Sequence, residues 1–268
     1  MGLSAMQLPG KVVVVTGASM GIGEAIAKIF AYGGASVVLL SRDAERAEAA
    51  RNRIGHSERT LGLACDVRNR EEIDRVVGLT LHHLQRIDVW INNAGHGILD
   101  SVANVDMAAC RETFETNFFG AVEGMQAVIP VMKQQGSGAI INVSSVAGHI
   151  PLPFHAVYSA TKFAMNAIGK GARIELKNSG INVMTVCPGY VRTAFNANVT
   201  KGKEQKQVRP ARVRGITAER VAKAVLRGYL KQQREVVVPW TMIPVIKIYQ
   251  LFPGLVEWSM VKMVRKRD

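Results

Sequence analysis

Seven short runs rich in β-branched residues, at 12–16, 36–41, 60–66, 89–93, 139–144, 182–187 and 235–239, set the tightest limit on what this chain folds into. Between them lie stretches of helical length and pattern, at 22–32, 44–53, 71–86, 107–135, 157–177 and 218–232. Strands separated by a helix cannot be joined by a hairpin, so the crossovers make them parallel. A parallel sheet buries both faces, and its strands read as unbroken apolar runs, as Val12-Val13-Val14-Val15 does. The expectation is an α/β chain forming one doubly wound domain over 1–268, with a seven-stranded parallel sheet and helices on both faces. Ligands of such sheets sit beyond the carboxyl ends of the strands.

Composition narrows the partners. With 48% apolar and 21% charged residues, the chain can bury a sizeable core and is not expected to be disordered. Cys65, Cys110 and Cys187 form no C-x-x-C pair, which argues against a disulfide framework or a zinc site. The histidines suggest no metal: His82 and His83 face different directions on a helix, while His149 and His155 flank a proline-rich loop and read as solvated. Residues 1–10 lack the basic start and apolar run of a signal peptide, so a reducing, cytoplasmic setting is expected. The net charge of +13 points to an anionic partner. No helix-turn-helix, finger spacing or aromatic RNA-binding signature accompanies it, so nucleic acid is not expected.

After the first strand stands Thr16-Gly17-Ala18-Ser19-Met20-Gly21-Ile22-Gly23, leading into a helix. Glycines permit a tight turn and close backbone approach, and a helix N-terminus offers amide donors and a positive dipole end to a pyrophosphate. The spacing is G-x-x-x-G-x-G, and with it the sequence resembles the short-chain dehydrogenase/reductase family. Cys65-Asp66-Val67, Asn92-Asn93-Ala94-Gly95 and Pro188-Gly189 resemble, in order, the family's adenine-side acid, its N-N-A-G turn and its P-G turn beneath the nicotinamide. The resemblance runs from Lys11 to Thr193 and more weakly to Pro239. It implies a Rossmann-type fold and a cofactor site made of Gly17, Ser19, Met20, Gly21, Ile22, Gly23, Ser41, Arg42, Asp66, Val67, Asn93, Ala94, Gly95, Tyr158, Lys162, Pro188, Gly189, Val191 and Thr193. At the end of the second strand, Ser41-Arg42 stands where a carboxylate would bind the ribose of NAD. A guanidinium pairs with a 2′-phosphate that a carboxylate would repel, so NADP(H) is the expected cofactor.

Tyr158 and Lys162 are four residues apart and share a helix face. An ammonium beside a phenol favours the phenolate and is expected to lower its pKa from about 10. The resemblance gives Tyr158 the proton transfer, Lys162 the nicotinamide ribose, and Asn117 a helix disturbance that holds a relay water. Ser145, thirteen positions before the tyrosine, would hold the substrate oxygen, leaving Ser144 structural. The expected activity is hydride transfer between nicotinamide and a carbonyl/alcohol pair on an apolar, lipid, acyl or steroid-like substrate. The alternative is a catalytically idle NADP(H)-binding or sensing module.

Two segments break the strand-helix rhythm. Residues 194–216 carry Lys201, Lys203, Lys206, Arg209, Arg212 and Arg214 against Glu204 and read as a basic lid over the substrate. Residues 240–268 form an apolar, proline-interrupted tail ending in Arg265-Lys266-Arg267. Peripheral membrane contact through this tail competes with a tail that covers the substrate pocket or a partner subunit. The resemblance implies a homodimer or homotetramer with contacts along 107–135 and 157–177.

Overall fold

A computed structural model describes residues 8–196, 199–202 and 215–265. Nine strands occur among them: β1 (Val12–Thr16), β2 (Ser36–Ser41), β3 (Thr60–Ala64), β4 (Val89–Asn92), β5 (Ile98–Leu99), β6 (Gly138–Val143), β7 (Ile181–Pro188), β8 (Thr200–Lys201) and β9 (Glu235–Val238). Seven form one sheet in the order β3-β2-β1-β4-β6-β7-β9, with every pairing parallel. The chain winds outward in both directions from β1 and β4, which leaves a crevice at their carboxyl ends.

Alternation along β1 shows how both faces are filled. Val13 and Val15 enter one core with Ile26 and Phe30 of α1 (Gly21–Tyr32), Ala50 of α2 (Ala44–Ile54) and Val221 and Val225 of α7 (Ala218–Leu230). Val14 enters the other with Ile73 and Val76 of α3 (Arg70–Leu84), Val128 of α5 (Gly120–Gln135) and Ala172 of α6 (Ala156–Glu175). Successive side chains of a strand point to opposite faces, so one valine run feeds two cores.

Side chains cap several helices. Asp43, Asn69 and Thr217 accept hydrogen bonds from the first-turn amides of α2, α3 and α7, and Asp106 does the same for α4 (Met107–Phe114). Such a cap contributes about 1 kcal/mol. No side chain caps α1, which begins behind the glycine turn.

The structure departs from the sequence reading at three kinds of place. Strands predicted to reach Asp66 and Asn93 stop at Ala64 and Asn92, because Asp66 turns to accept from the Arg68 amide and Asn93 leaves the ladder to bond Thr16. The single helix expected over 107–135 is broken by a π-helical turn at Glu115–Phe119 that separates α4 from α5. The apolar tail holds α8 (Met242–Leu251) and α9 (Pro253–Arg265). Pro244 falls in the first turn of α8 and Pro253 opens α9, positions where a missing N–H costs no helical bond.

Candidate active site

The glycine turn and the N-N-A-G turn are locked together by Thr16. Its hydroxyl accepts from the amides of Asn93 (2.9 Å) and Ala94 (3.0 Å) and donates to the Ile91 carbonyl (3.2 Å). The Asn93 side-chain amide donates back to the carbonyls of Thr16 (2.9 Å) and Gly17 (3.0 Å). Gly17 has φ +62° and packs so tightly on Ala94 that an added Cβ would lie 2.8 Å from the Ala94 Cα. Gly21 has φ +63° and faces Thr193, which brings the segment after Pro188-Gly189 against the phosphate turn. Sequence places Thr16 at the strand end that opens the glycine turn; its fastening of the second turn emerges only in three dimensions.

At the adenine side, Ser41 is buried and accepts from the Asp43 amide (3.4 Å). Arg42 is exposed and its side chain makes no hydrogen bond or ion pair with another described residue, while its charge bears on Asp66 and His96. Asp66 is engaged by the Arg68 guanidinium, which holds its carboxyl below the usual range. Val67 is buried against Gly120, at the start of α5. Ser19 offers its carbonyl to Arg53 (2.8 Å), Met20 is partly exposed at the helix entry, and Ile22 and Gly23 lie in α1, with Ile22 packed on the core. Glycines that a Cβ would block, together with a helix start lacking a side-chain cap, fit the pyrophosphate of a nicotinamide dinucleotide.

The reactive groups lie at the carboxyl ends of β6 and β7. Ser145 accepts from the Ala147 amide (3.0 Å), donates to the Pro188 carbonyl (3.4 Å) and lies near enough to the Tyr158 hydroxyl to favour its phenolate. Lys162 donates to the Val143 carbonyl (3.0 Å), and its ammonium is 5.8 Å from the Tyr158 ring centroid. Ser144 donates to the Lys162 carbonyl (3.1 Å), a tie between β6 and α6. Burial pushes the Tyr158 hydroxyl up to about 12, with the Ser145 hydrogen bond acting the other way but more weakly. Burial also pulls Lys162 down to about 8. The expectation that Lys162 lowers the tyrosine is therefore corrected: burial of the hydroxyl raises it, and the Lys162 ammonium is bonded to the Val143 carbonyl.

Asn117 sits in the π-helical turn and is fully buried. Its side chain accepts from the His96 amide (2.9 Å) and donates to the His96 carbonyl (2.9 Å) and to Thr161 (3.1 Å). Gly95 lies directly over it: an added Cβ would fall 2.9 Å from the Asn117 Oδ1 and 3.7 Å from the Lys162 ammonium. Asn117, Ser145, Tyr158 and Lys162 thus surround one crevice. His96 and Thr161, absent from the sequence reading, fasten it, and only the three-dimensional meeting of the β4 loop with α6 reveals them.

Phe195, in the segment after Thr193, lies with its ring centroid 5.9 Å from that of Tyr158 at a tilt of 57° and packs on Gly97. β8 pairs with β5, and Val191, itself buried, bridges to Ile216. Lys203, Glu204, Lys206, Arg209, Arg212 and Arg214 lie outside the described residues.

His149 is a second correction. It is buried, with Nε2 3.4 Å from the Cys187 Sγ and 3.7 Å from the Glu235 carboxylate, so both a cysteine and an acid stand beside it. Burial pushes the thiol up and the imidazole down, which favours a neutral hydrogen-bonded pair. His155 is half-buried rather than solvated, and burial lowers it as well.

Fold and crevice together define an oxidoreductase of the dinucleotide-binding α/β class. Residues 11–204 match the short chain dehydrogenase family model, and the chain belongs to the short-chain dehydrogenase/reductase family, whose fold binds a nicotinamide cofactor. It is 32% identical over 270 residues to dehydrogenase/reductase SDR family protein 7-like of Drosophila melanogaster, covering 98% of this chain and 83% of that one. A metagenomic short-chain oxidoreductase solved with NADP superposes with a TM-score of 0.72 at 30% identity, covering 86% of this chain and 97% of the other. A Burkholderia phymatum short-chain dehydrogenase/reductase solved with NAD gives 0.83 at 21% identity, covering 93% and 96%, a likeness of fold.

Proposed function

We propose that this chain is an NADP(H)-dependent oxidoreductase acting on a carbonyl/alcohol pair of an apolar small molecule. The observation that carries the reading is the meeting of the Ser145 and Tyr158 hydroxyls beside Lys162 in the crevice next to the glycine turn. Bound nicotinamide supplies or accepts the hydride. Ser145 and Tyr158 then hold the substrate oxygen, where negative charge builds as the carbonyl is reduced. With its hydroxyl raised to about 12, Tyr158 carries its proton at neutral pH and donates it to that oxygen. Lys162 steadies the nicotinamide ribose and Asn117 holds the crevice wall. The preference for NADP(H) rests on Arg42 beside Ser41, with no acid at the end of β2.

Apolar side chains near the site support an apolar substrate: Phe195 packs at a tilt against Tyr158, and Pro151, Leu152, Pro153 and Phe154 follow Ser145 in the chain. Homodimer or homotetramer contacts are supported by Met107, Phe119, Phe163 and Ile174, large apolar side chains exposed on the helical stretches that the resemblance assigns to subunits.

The test is NADPH oxidation with a panel of ketones and aldehydes, comparing the native chain with Tyr158→Phe. Turnover of at least one apolar carbonyl is expected, lost at least about a hundredfold in the variant while NADPH still binds. A variant as fast as the native chain removes Tyr158 from the reaction, and tighter binding of NADH than of NADPH removes the cofactor assignment.

A further inference from the structure

The helices α8 and α9 present an apolar surface that no other described residue covers. Trp240, Leu251, Phe252, Leu255, Trp258 and Val261 are between 48% and 71% exposed, on a segment where Ile246 is the buried large residue. Exposed aromatic and aliphatic side chains gathered in one place mark an interaction surface rather than a scatter of surface residues. The Lys262 ammonium lies 3.3 Å from the centroid of the Trp258 ring, and Lys247 stands on α8. The sequence ends Arg265-Lys266-Arg267-Asp268, so from Trp240 onward only Glu257 and Asp268 oppose five cations. No helix among the described residues is long and apolar enough to cross a membrane.

We propose that α8 and α9 form an interfacial platform that seats the protein on an anionic lipid surface. Tryptophans set beside aliphatics, with Lys247 and Lys262 among them, match the boundary between acyl chains and charged headgroups. A second copy docked across a twofold axis would bring two segments with the same excess of cations together, whereas anionic lipid neutralises that excess. The inner side of the platform packs on the active-site end of the fold: Ile246, Met242 and Met260 meet Val146 and Ile150, which follow Ser145, and Met242 approaches Gly189. The platform therefore flanks the crevice, and a lipid-dissolved substrate reaches it without crossing bulk water. That delivery rests on the proposed reaction; the lipid contact does not.

Flotation of the full-length protein is the test, using vesicles of phosphatidylglycerol and phosphatidylcholine in roughly equal parts against phosphatidylcholine alone. The native chain is expected to float with the anionic vesicles, and Leu255→Ser/Trp258→Ser to lose about tenfold or more of that binding. Both substituted residues are exposed, so circular dichroism and the melting temperature should stay unchanged. A native chain that remains in solution with both vesicle types overturns the proposal, as does a double variant that floats equally well. A double variant that turns a native dimer into a monomer, with no flotation of either, assigns the face to a second copy and overturns it too. Turnover of a long-chain ketone dissolved in the vesicles should fall with binding, while a short water-soluble ketone is unaffected. If flotation behaves as expected and neither ketone is reduced, the reaction fails and the lipid contact stands.

Discussion

Replacing Asn117 by alanine separates the scaffold of the crevice from its chemistry. The side chain is fully buried and makes three hydrogen bonds, two of them to the backbone of His96 and one to Thr161. A buried polar group stripped of its partner costs about 1–3 kcal/mol. His96 is only part-buried, so water can satisfy some of the loss, and Thr161 still donates to the Tyr158 carbonyl (2.7 Å). We therefore expect Asn117→Ala to lose about 3 kcal/mol in urea unfolding, with a fall in melting temperature of about 6–12 °C. The measurement belongs in the absence of cofactor, which would stabilise the native state and mask the change. A double-mutant cycle with Thr161→Ala should return a coupling of about 0.5–1 kcal/mol. Gly95 lies against the Asn117 carbonyl oxygen, so NADPH affinity should weaken along with stability. A loss below about 1 kcal/mol, or zero coupling to Thr161, would refute the reasoning that this side chain ties the β4 loop to α6.

Two further outcomes follow from charge. Arg42→Leu should weaken NADPH by about tenfold to a hundredfold and NADH by less than about twofold, the range expected for one exposed charge-assisted contact to a phosphate; isothermal titration that finds both weakened equally excludes Arg42 from phosphate recognition. Reduction should have a kcat/KM that is level at neutral pH and falls as the pH rises through about 8, because Lys162 loses its charge there while Tyr158 keeps its proton to about 12. A profile that stays level well beyond that point separates Lys162 from the step.

The sheet was readable because its information is local. A run such as Val12-Val13-Val14-Val15 needs no partner to announce a strand buried on both faces, and all seven predicted strands occur in the structure. The glycine turn was readable for a similar reason, since a backbone with positive φ demands glycine at Gly17 and Gly21. Ends of elements were less legible: Asp66 and Asn93 leave their strands for hydrogen bonds with groups the periodicity does not register. His149 shows the limit most plainly. Its neighbours Cys187 and Glu235 are 38 and 86 positions away in the chain, counted from the residue numbers, and meet it only because β6, β7 and β9 are adjacent in the sheet. The tail helices were hidden because prolines were counted as interruptions, whereas Pro244 and Pro253 occupy first-turn positions.

The segment over Tyr158 is fastened to the body on both sides of its basic stretch, by β8 along β5 and by Ile216 beside Val191. These two anchorages hold Phe195 against Tyr158 without drawing on the ladder of the main sheet. Substitutions at Phe195 can therefore change what borders the Tyr158 ring while leaving the strand register and the positions of Ser145 and Lys162 untouched. Diversification of substrate range within such a scaffold requires no redesign of its catalytic floor.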